Sequence, residues 1–207
     1  MISNPHYRLA PGILRKLNEA VQADVTDSPS PFEPHERKRI SAQIGLDAVD
    51  ALLKPCKGRV EVVDATYRRR RKNIHYDFLL DGRIRVKVKC GTYVESIGWT
   101  QEEDPDGPDL DFDVLVVVDA GITLSSSVGR LARHAIPTQG TVDYYVLPQP
   151  VVRRWVVERR YVNGKGVQIY LYKRPFDRPG TAEEKGQHRK LAGFRNRFDP
   201  LNEAIAA

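Results

Sequence analysis

Hydrophobic and polar positions alternate most cleanly around residues 76–89. Tyr76-Asp77-Phe78-Leu79-Leu80 is followed by Asp81-Gly82 and then by Arg83-Ile84-Arg85-Val86-Lys87-Val88-Lys89. In an extended chain successive side chains point to opposite sides. Ile84, Val86 and Val88 therefore share one face, and Arg85, Lys87 and Lys89 the other. Asp-Gly between two such runs is a tight-turn signal, so the segment predicts a β-hairpin. A second pattern runs from Phe112 to Asp119 (Phe-Asp-Val-Leu-Val-Val-Val-Asp) and is almost continuously apolar. It predicts a strand buried on both faces, in the middle of a sheet covered by helices.

The remaining elements follow from weaker periodicities. Gly12 to Ala23, with Ile13, Leu14, Leu17 and Val21, fits a short amphipathic helix that Asp27-Ser28-Pro29-Ser30-Pro31 breaks. A longer helix is expected from about His35 to Lys54. Ile40, Ile44, Val49, Leu52 and Leu53 would face the core, and Pro55 would stop it. Strands are expected at Val60–Tyr67, Val142–Leu147 and Val167–Tyr172, whereas Val151–Val162 fits strand or helix. Glu102–Asp111, with Pro105, Gly107 and Pro108, reads as an acidic loop. The tail from Arg174 is polar, with Phe194 and Phe198 available to dock it. The expected organisation is an N-terminal helical appendage (1–35), an α/β core (36–173) with a central mixed sheet flanked by helices, and a C-terminal tail (174–207).

Composition narrows the class. The 207 residues are 41% apolar and 29% charged, as in ordinary soluble globular proteins. No apolar run approaches the ~20 residues of a membrane span. Met1-Ile2-Ser3-Asn4-Pro5 lacks the apolar stretch of a signal peptide. Cys56 and Cys90 form no metal-ligand spacing and are expected as reduced thiols, which points to the cytoplasm. No phosphate-cradling glycine loop, zinc spacing or nucleophile elbow is present.

Charge adds a partner. The net charge is +6, and from Arg59 to Lys89 ten Lys/Arg face four acids, while from Glu102 to Asp119 there are eight acids and no base. The basic surplus sits on and beside the hairpin. Arg68, Arg69, Arg70, Arg71, Lys72 and Arg85 are candidate contacts to a polyanion such as nucleic acid.

The order of these elements resembles the PD-(D/E)xK nuclease superfamily, most of all its small archaeal Holliday-junction-resolvase-like and restriction-endonuclease-like members. The likeness rests on a helix, a strand, Tyr76-Asp77-apolar strand, a hairpin, a Val86-Lys87-Val88-Lys89 strand and the Asp111-Phe112-Asp113-Val114-Leu115-Val116-Val117-Val118 run. Val142-Asp143-Tyr144-Tyr145-Val146-Leu147-Pro148 resembles the strand that follows, so the likeness spans roughly Ile40 to Pro148. The resemblance implies a restriction-endonuclease-like fold and a Mg²⁺-dependent (or Mn²⁺-dependent) DNA endonuclease, with a restriction or other defence role in view. Asp77 would bind metal and Lys89 would be the motif lysine. Asp47 falls near the helix acid, with Asp50 as the alternative. Double-stranded DNA is the implied partner, with no membrane, and a homodimer is compatible with cutting both strands.

One position departs from the pattern. Lys87 stands where the resemblance calls for a second metal-binding acid or a glutamine. Two unit charges ~4 Å apart interact by about 4 kcal/mol at an effective dielectric of 20, so an ammonium aimed at a divalent ion is untenable. Three accounts remain open. A carboxylate from elsewhere (Glu95, Glu61 or Asp64) replaces the ligand, or Lys87 contacts phosphate in a site that cuts weakly or not at all. In the third, the register shifts by two, making Lys87 the motif lysine and Arg85 the residue in the acid position. The alternative function is a catalytically degenerate module that binds DNA or a partner protein. His75 beside Asp77 is expected to face solvent or phosphate, Asp111 and Asp113 to be loop or edge acids, and Tyr144, Tyr145 and Trp155 to be core.

Overall fold

The structure, a computed structural model, describes residues 2, 7–16, 19, 34–56, 60–62, 76–91, 96–101, 110–119, 122–126, 133–137, 142–158, 167–172 and 193–206. The basic run 68–72 and the residues Asp64, His75 and Glu95 lie outside them, as does the side chain of Trp155. Helix α1 (Pro34–Leu53) ends in a 3-10 turn at Lys54–Cys56. Strands β1 (Val60–Val62), β2 (Phe78–Leu80), β3 (Ile84–Gly91) and β4 (Ser96–Gln101) follow. Then come β5 (Val114–Asp119), β6 (Ile122–Ser126), β7 (Arg133–Pro137), β8 (Asp143–Pro148), helix α2 (Gln149–Glu158), β9 (Val167–Tyr172) and helix α3 (Asp199–Ala206).

The hairpin forms where the alternation and turn residues place it. Asp81 (φ 54°) and Gly82 (φ 66°) both lie in the left-handed region, and the Arg83 N–H donates to Leu80 O at 3.2 Å. Two consecutive positive φ values are what a type I′ turn needs, and Gly and Asp are among the few residues that tolerate them. Phe78, Leu79 and Leu80 pair with Val86, Arg85 and Ile84.

β3 then pairs in parallel with β5, and β5 pairs antiparallel with β8. A five-stranded mixed sheet results, in the order β1-β2-β3-β5-β8. With helices packed against it, the protein is an α/β fold. All six residues of β5 are buried, as its apolar run requires. On the first face Ile84, Val86, Val114, Val116, Val118, Tyr144 and Val146 meet Ile44, Ala48, Val49 and Leu52 of α1. On the second face Leu115, Val117, Tyr145 and Leu147 pack with Leu110, Phe112 and Val152 of α2.

Helix α1 comes down closely on β3. A Cβ at Gly45 would stand 2.8 Å from Cys90 Cβ and 3.1 Å from Val88 Cγ1. Ser41 Oγ donates to the Cys90 carbonyl at 3.0 Å, and Tyr144 Oη reaches the Ala48 carbonyl at 3.1 Å from the sheet side.

Both ends of the chain enter the first-face core. Ile2 and Leu9 are buried there beside Phe198 and Leu201. The outer edge of β8 is covered by residues 194–196. Val146 N–H donates to Phe194 O (3.3 Å), Asn196 N–H to Tyr144 O (2.6 Å), and Tyr144 N–H to Asn196 Oδ1 (2.9 Å). Asn196 takes up φ 52° to make this turn. These bonds occupy backbone groups of Tyr144 and Val146 that a bare edge would offer to another chain. Ile2 and Asn202 exchange two hydrogen bonds, and Arg83 Nη2 donates to Ile205 O at the end of α3.

Elsewhere the structure goes beyond the sequence expectations. β4 pairs with β9, and β6 with β7, as separate two-stranded sheets. Residues 151–158, which fit strand or helix, are helical, beginning at Gln149-Pro150. Proline is favoured in a first helical turn. The strand expected at Val60–Tyr67 is described only as Val60–Val62. Among the described residues no helix is long and apolar enough to cross a membrane.

Gly45→Ala tests the helix–strand approach. Overpacking costs about 1–3 kcal/mol, against roughly 1 kcal/mol of helix propensity regained. A lower denaturant midpoint with an unchanged m-value is expected; an equal or higher midpoint would show that α1 is not held this tightly.

Candidate functional site

The site begins where β2 leaves β3. Phe78 is paired with Val86, yet the Asp77 N–H also donates to Val86 O, at 2.9 Å. Two residues of one strand thus face one of the other, which is a β-bulge, and bulges re-aim a side chain. The Asp77 carboxylate is turned onto the β3 backbone, where Oδ2 accepts the Val88 N–H at 2.6 Å. The N–H and C=O of one strand residue point to the same edge. The Val88 carbonyl therefore opens to the side on which Asp77 sits. Asp77 itself is half-buried.

Register places the lysines. Lys87 pairs with Leu115 and Lys89 with Val117, so both lie on the second face of the sheet, the one away from α1. Lys87 is only 7% exposed, with Nζ 5.8 Å from the centre of the Phe112 ring. That distance suits a cation–π contact. Lys89 is half-buried. Asp77, Lys87 and Lys89 are thus grouped around a single residue, Val88.

Arg85 is occupied by acids. Its N–H and Nε donate to Asp113 Oδ2 at 2.7 and 3.1 Å, its Nη2 to Asp113 Oδ1 at 3.0 Å, and its Nη1 to Asp111 Oδ1. Asp113 N–H returns a bond to Arg85 O at 2.9 Å. Asp111 and Asp113, expected as loop or edge acids, thus clamp a strand residue that charge alone marks as a nucleic-acid contact. Its side-chain hydrogen bonds to the Asp113 carboxylate raise the Arg85 pKa above its ordinary value, against the opposing effect of burial. Burial acts to raise the Asp113 pKa, but the bonds from the Arg85 side chain and backbone and its charge outweigh that and hold the carboxyl below its usual range.

Asp47 lies on the exposed side of α1 and accepts from Gln43 Nε2 at 2.7 Å. Burial, and then the charges of Asp47 and Cys90, push the Tyr7 phenol up. Asp50 and Glu61 are exposed. Among the described residues no group of three or more His, Cys, Asp or Glu side chains is arranged to hold a metal ion.

A second polar group stands at the carboxyl end of β5. Asp119 is 7% exposed and faces Gly91 on β3 and Asp143 on β8. Asp143 Oδ2 accepts from Arg195 Nη2 at 2.6 Å and its Oδ1 from Asn196 Nδ2 at 2.8 Å. Burial, with Asp119 adding to it, pushes the Tyr145 phenol well up, and the bond that Arg195 donates to Asp143 raises the Arg195 pKa. Only the strand register brings together groups this far apart in sequence; the one legible trace is an acid closing an otherwise apolar strand.

Comparison with known protein families, with curated proteins and with solved structures finds no match. The fold and site together define an α/β protein with a mixed sheet and an Asp–Lys–Lys grouping at a strand bulge.

The Arg85–Asp113 pairing has a pH signature. A depressed folded-state pKa gives stability that is complete above the ordinary Asp value, near 4, and is lost as pH falls through the folded value. Asp113→Asn should cost about 1 kcal/mol at neutral pH, a figure discounted because both groups are over a third exposed. The difference from the unmodified protein should shrink in urea titrations near pH 3. A constant difference across pH would assign the effect to packing instead.

Proposed function

We propose that this chain is a DNA endonuclease of the PD-(D/E)xK type, dependent on Mg²⁺ or Mn²⁺, with a restriction-endonuclease-like core. The observation that carries this reading is the bulge that fixes Asp77 on Val88, between Lys87 and Lys89. The order α1, β1, β2, hairpin, β3, β5, β8 accompanies it. A hard divalent ion commonly rests on one or two carboxylates, with waters and substrate phosphate completing its shell. Asp77 and the Val88 carbonyl are the groups that would hold it. When bound, the ion supplies charge stabilisation at the phosphate and a more acidic water. Lys89 would orient the attacking water and stabilise the developing negative charge. Lys87, covered by Phe112, would add positive charge beneath the scissile phosphate rather than a ligand. Hydrolysis adds water to phosphorus and breaks one P–O bond, and the proton ends on the leaving oxygen.

A second reading is favoured by Lys87 itself. A buried cation at the acid position, with no three-donor group among the described residues, suits a module that binds DNA without cutting it.

Plasmid cleavage with Mg²⁺ or Mn²⁺ separates the two. Under the first reading the protein nicks or linearises DNA, and Asp77→Ala lowers the rate by roughly 100-fold or more while DNA binding persists. Binding without cleavage of any substrate by the unmodified protein would replace the first reading with the second. Absence of binding at low salt would remove both. Under the first reading, Lys87→Gln should also lower the Mg²⁺ concentration needed for half-maximal cleavage, because it removes the repulsive charge.

A further inference from the structure

The second face of the sheet carries more positive charge than the Asp77 site uses. Lys89 pairs with Val117, Val117 with Tyr145, and Tyr145 forms a bridge with Arg195. Lys89 and Arg195 therefore stand on one level of the sheet, three strand spacings apart, or about 14 Å between Cα atoms. Helix α2 covers the floor between them through Val151 and Val152, and exposes Arg153 and Arg154. Charge is oriented as well as gathered. The Asp143 side chain is 28% exposed and has one oxygen held by Arg195 and the other by Asn196. The Arg195 side chain is 58% exposed. The carboxylate is turned inward and the guanidinium outward. A guanidinium has five N–H donors in a planar fork, and the bond to Asp143 uses one.

We infer that Arg195 is a phosphate contact for duplex DNA, with Asp143 and Asn196 positioning its guanidinium at the far side of α2 from Lys89. The inference rests on the DNA-directed reading above and extends it to a residue outside the motif and outside the Arg68–Lys72 run. The spacing suits the partner. About 14 Å is of the order of the ~12 Å width of the major groove, so Lys89 and Arg195 can reach phosphates on either side of a groove that faces α2. A contact of this kind positions DNA without reading its sequence.

The test is fluorescence anisotropy with a labelled short duplex, measured across a range of salt concentrations. Arg195→Gln should weaken binding several-fold at moderate salt and make the slope of log K against log salt shallower by about 1. Arg195→Lys, which keeps the charge, should restore most of that slope. A purely structural arginine would give the opposite pattern, with thermal stability lost in both variants and an unchanged slope. If the unmodified protein binds duplex DNA and the slope is the same in Arg195→Gln, the inference is overturned while the DNA reading stands. If the unmodified protein does not bind, both are overturned.

Discussion

Parallel pairing of β3 with β5 is the constraint on which the rest of the sheet depends. A hairpin sets its own register through its turn, but parallel strands meet only after a long crossover and need another device. Here the first rung carries it. The Arg85 backbone N–H is held by the Asp113 carboxylate, its carbonyl accepts the Asp113 N–H, and its guanidinium is gripped by Asp111 and Asp113. From that rung the ladder runs without a break to Gly91 and Asp119. A slip of one residue would turn Lys87 and Lys89 into the apolar face beneath α1, and Val86 and Val88 out of it.

Two different surfaces are built on the same strand. Toward α1, β3 is apolar and close-packed, with Gly45 allowing the helix within contact distance of Val88 and Cys90. Toward α2, it presents lysines. The burial of Lys87 is tolerable because its stem lies along apolar neighbours while Nζ sits near the Phe112 ring. Phe112 lies between the two acids that hold Arg85. One short segment, 111–113, thereby fixes the strand register and covers the strand's unusual lysine.

The sequence reveals most where a signal is local. The Asp81-Gly82 turn, the alternation of β3, the apolar run of β5 and the strand at Asp143–Pro148 each follow from a few adjacent residues. Pairings across long separations were not legible. Ser96–Gln101 finds its partner at Val167–Tyr172, and neither segment says so. Asp119 and Asp143, 24 positions apart, are brought together by register alone. Asp113 was hidden for another reason: in an acidic, turn-rich stretch one more aspartate looks like a solvated charge until its partner is placed beside it. Of the candidate site, Asp77 lies on the Val88 backbone with Lys87 and Lys89 as its neighbours along the strand, whereas Asp47 is exposed on α1 with Gln43 as its partner and Arg85 is committed to acids.

The reciprocal hydrogen bonds between Ile2 and Asn202 have a consequence for how the molecule is made. Synthesis delivers residue 2 first, and its partner two hundred residues later. Until then the pocket that Phe198 and Leu201 fill beside Tyr144 stays open to water. The nascent chain can form its hairpin early, but it cannot close its core until residue 202 has left the ribosome. During that interval β8 has an uncovered edge, the state in which such chains are most exposed to aggregation and most in need of a chaperone.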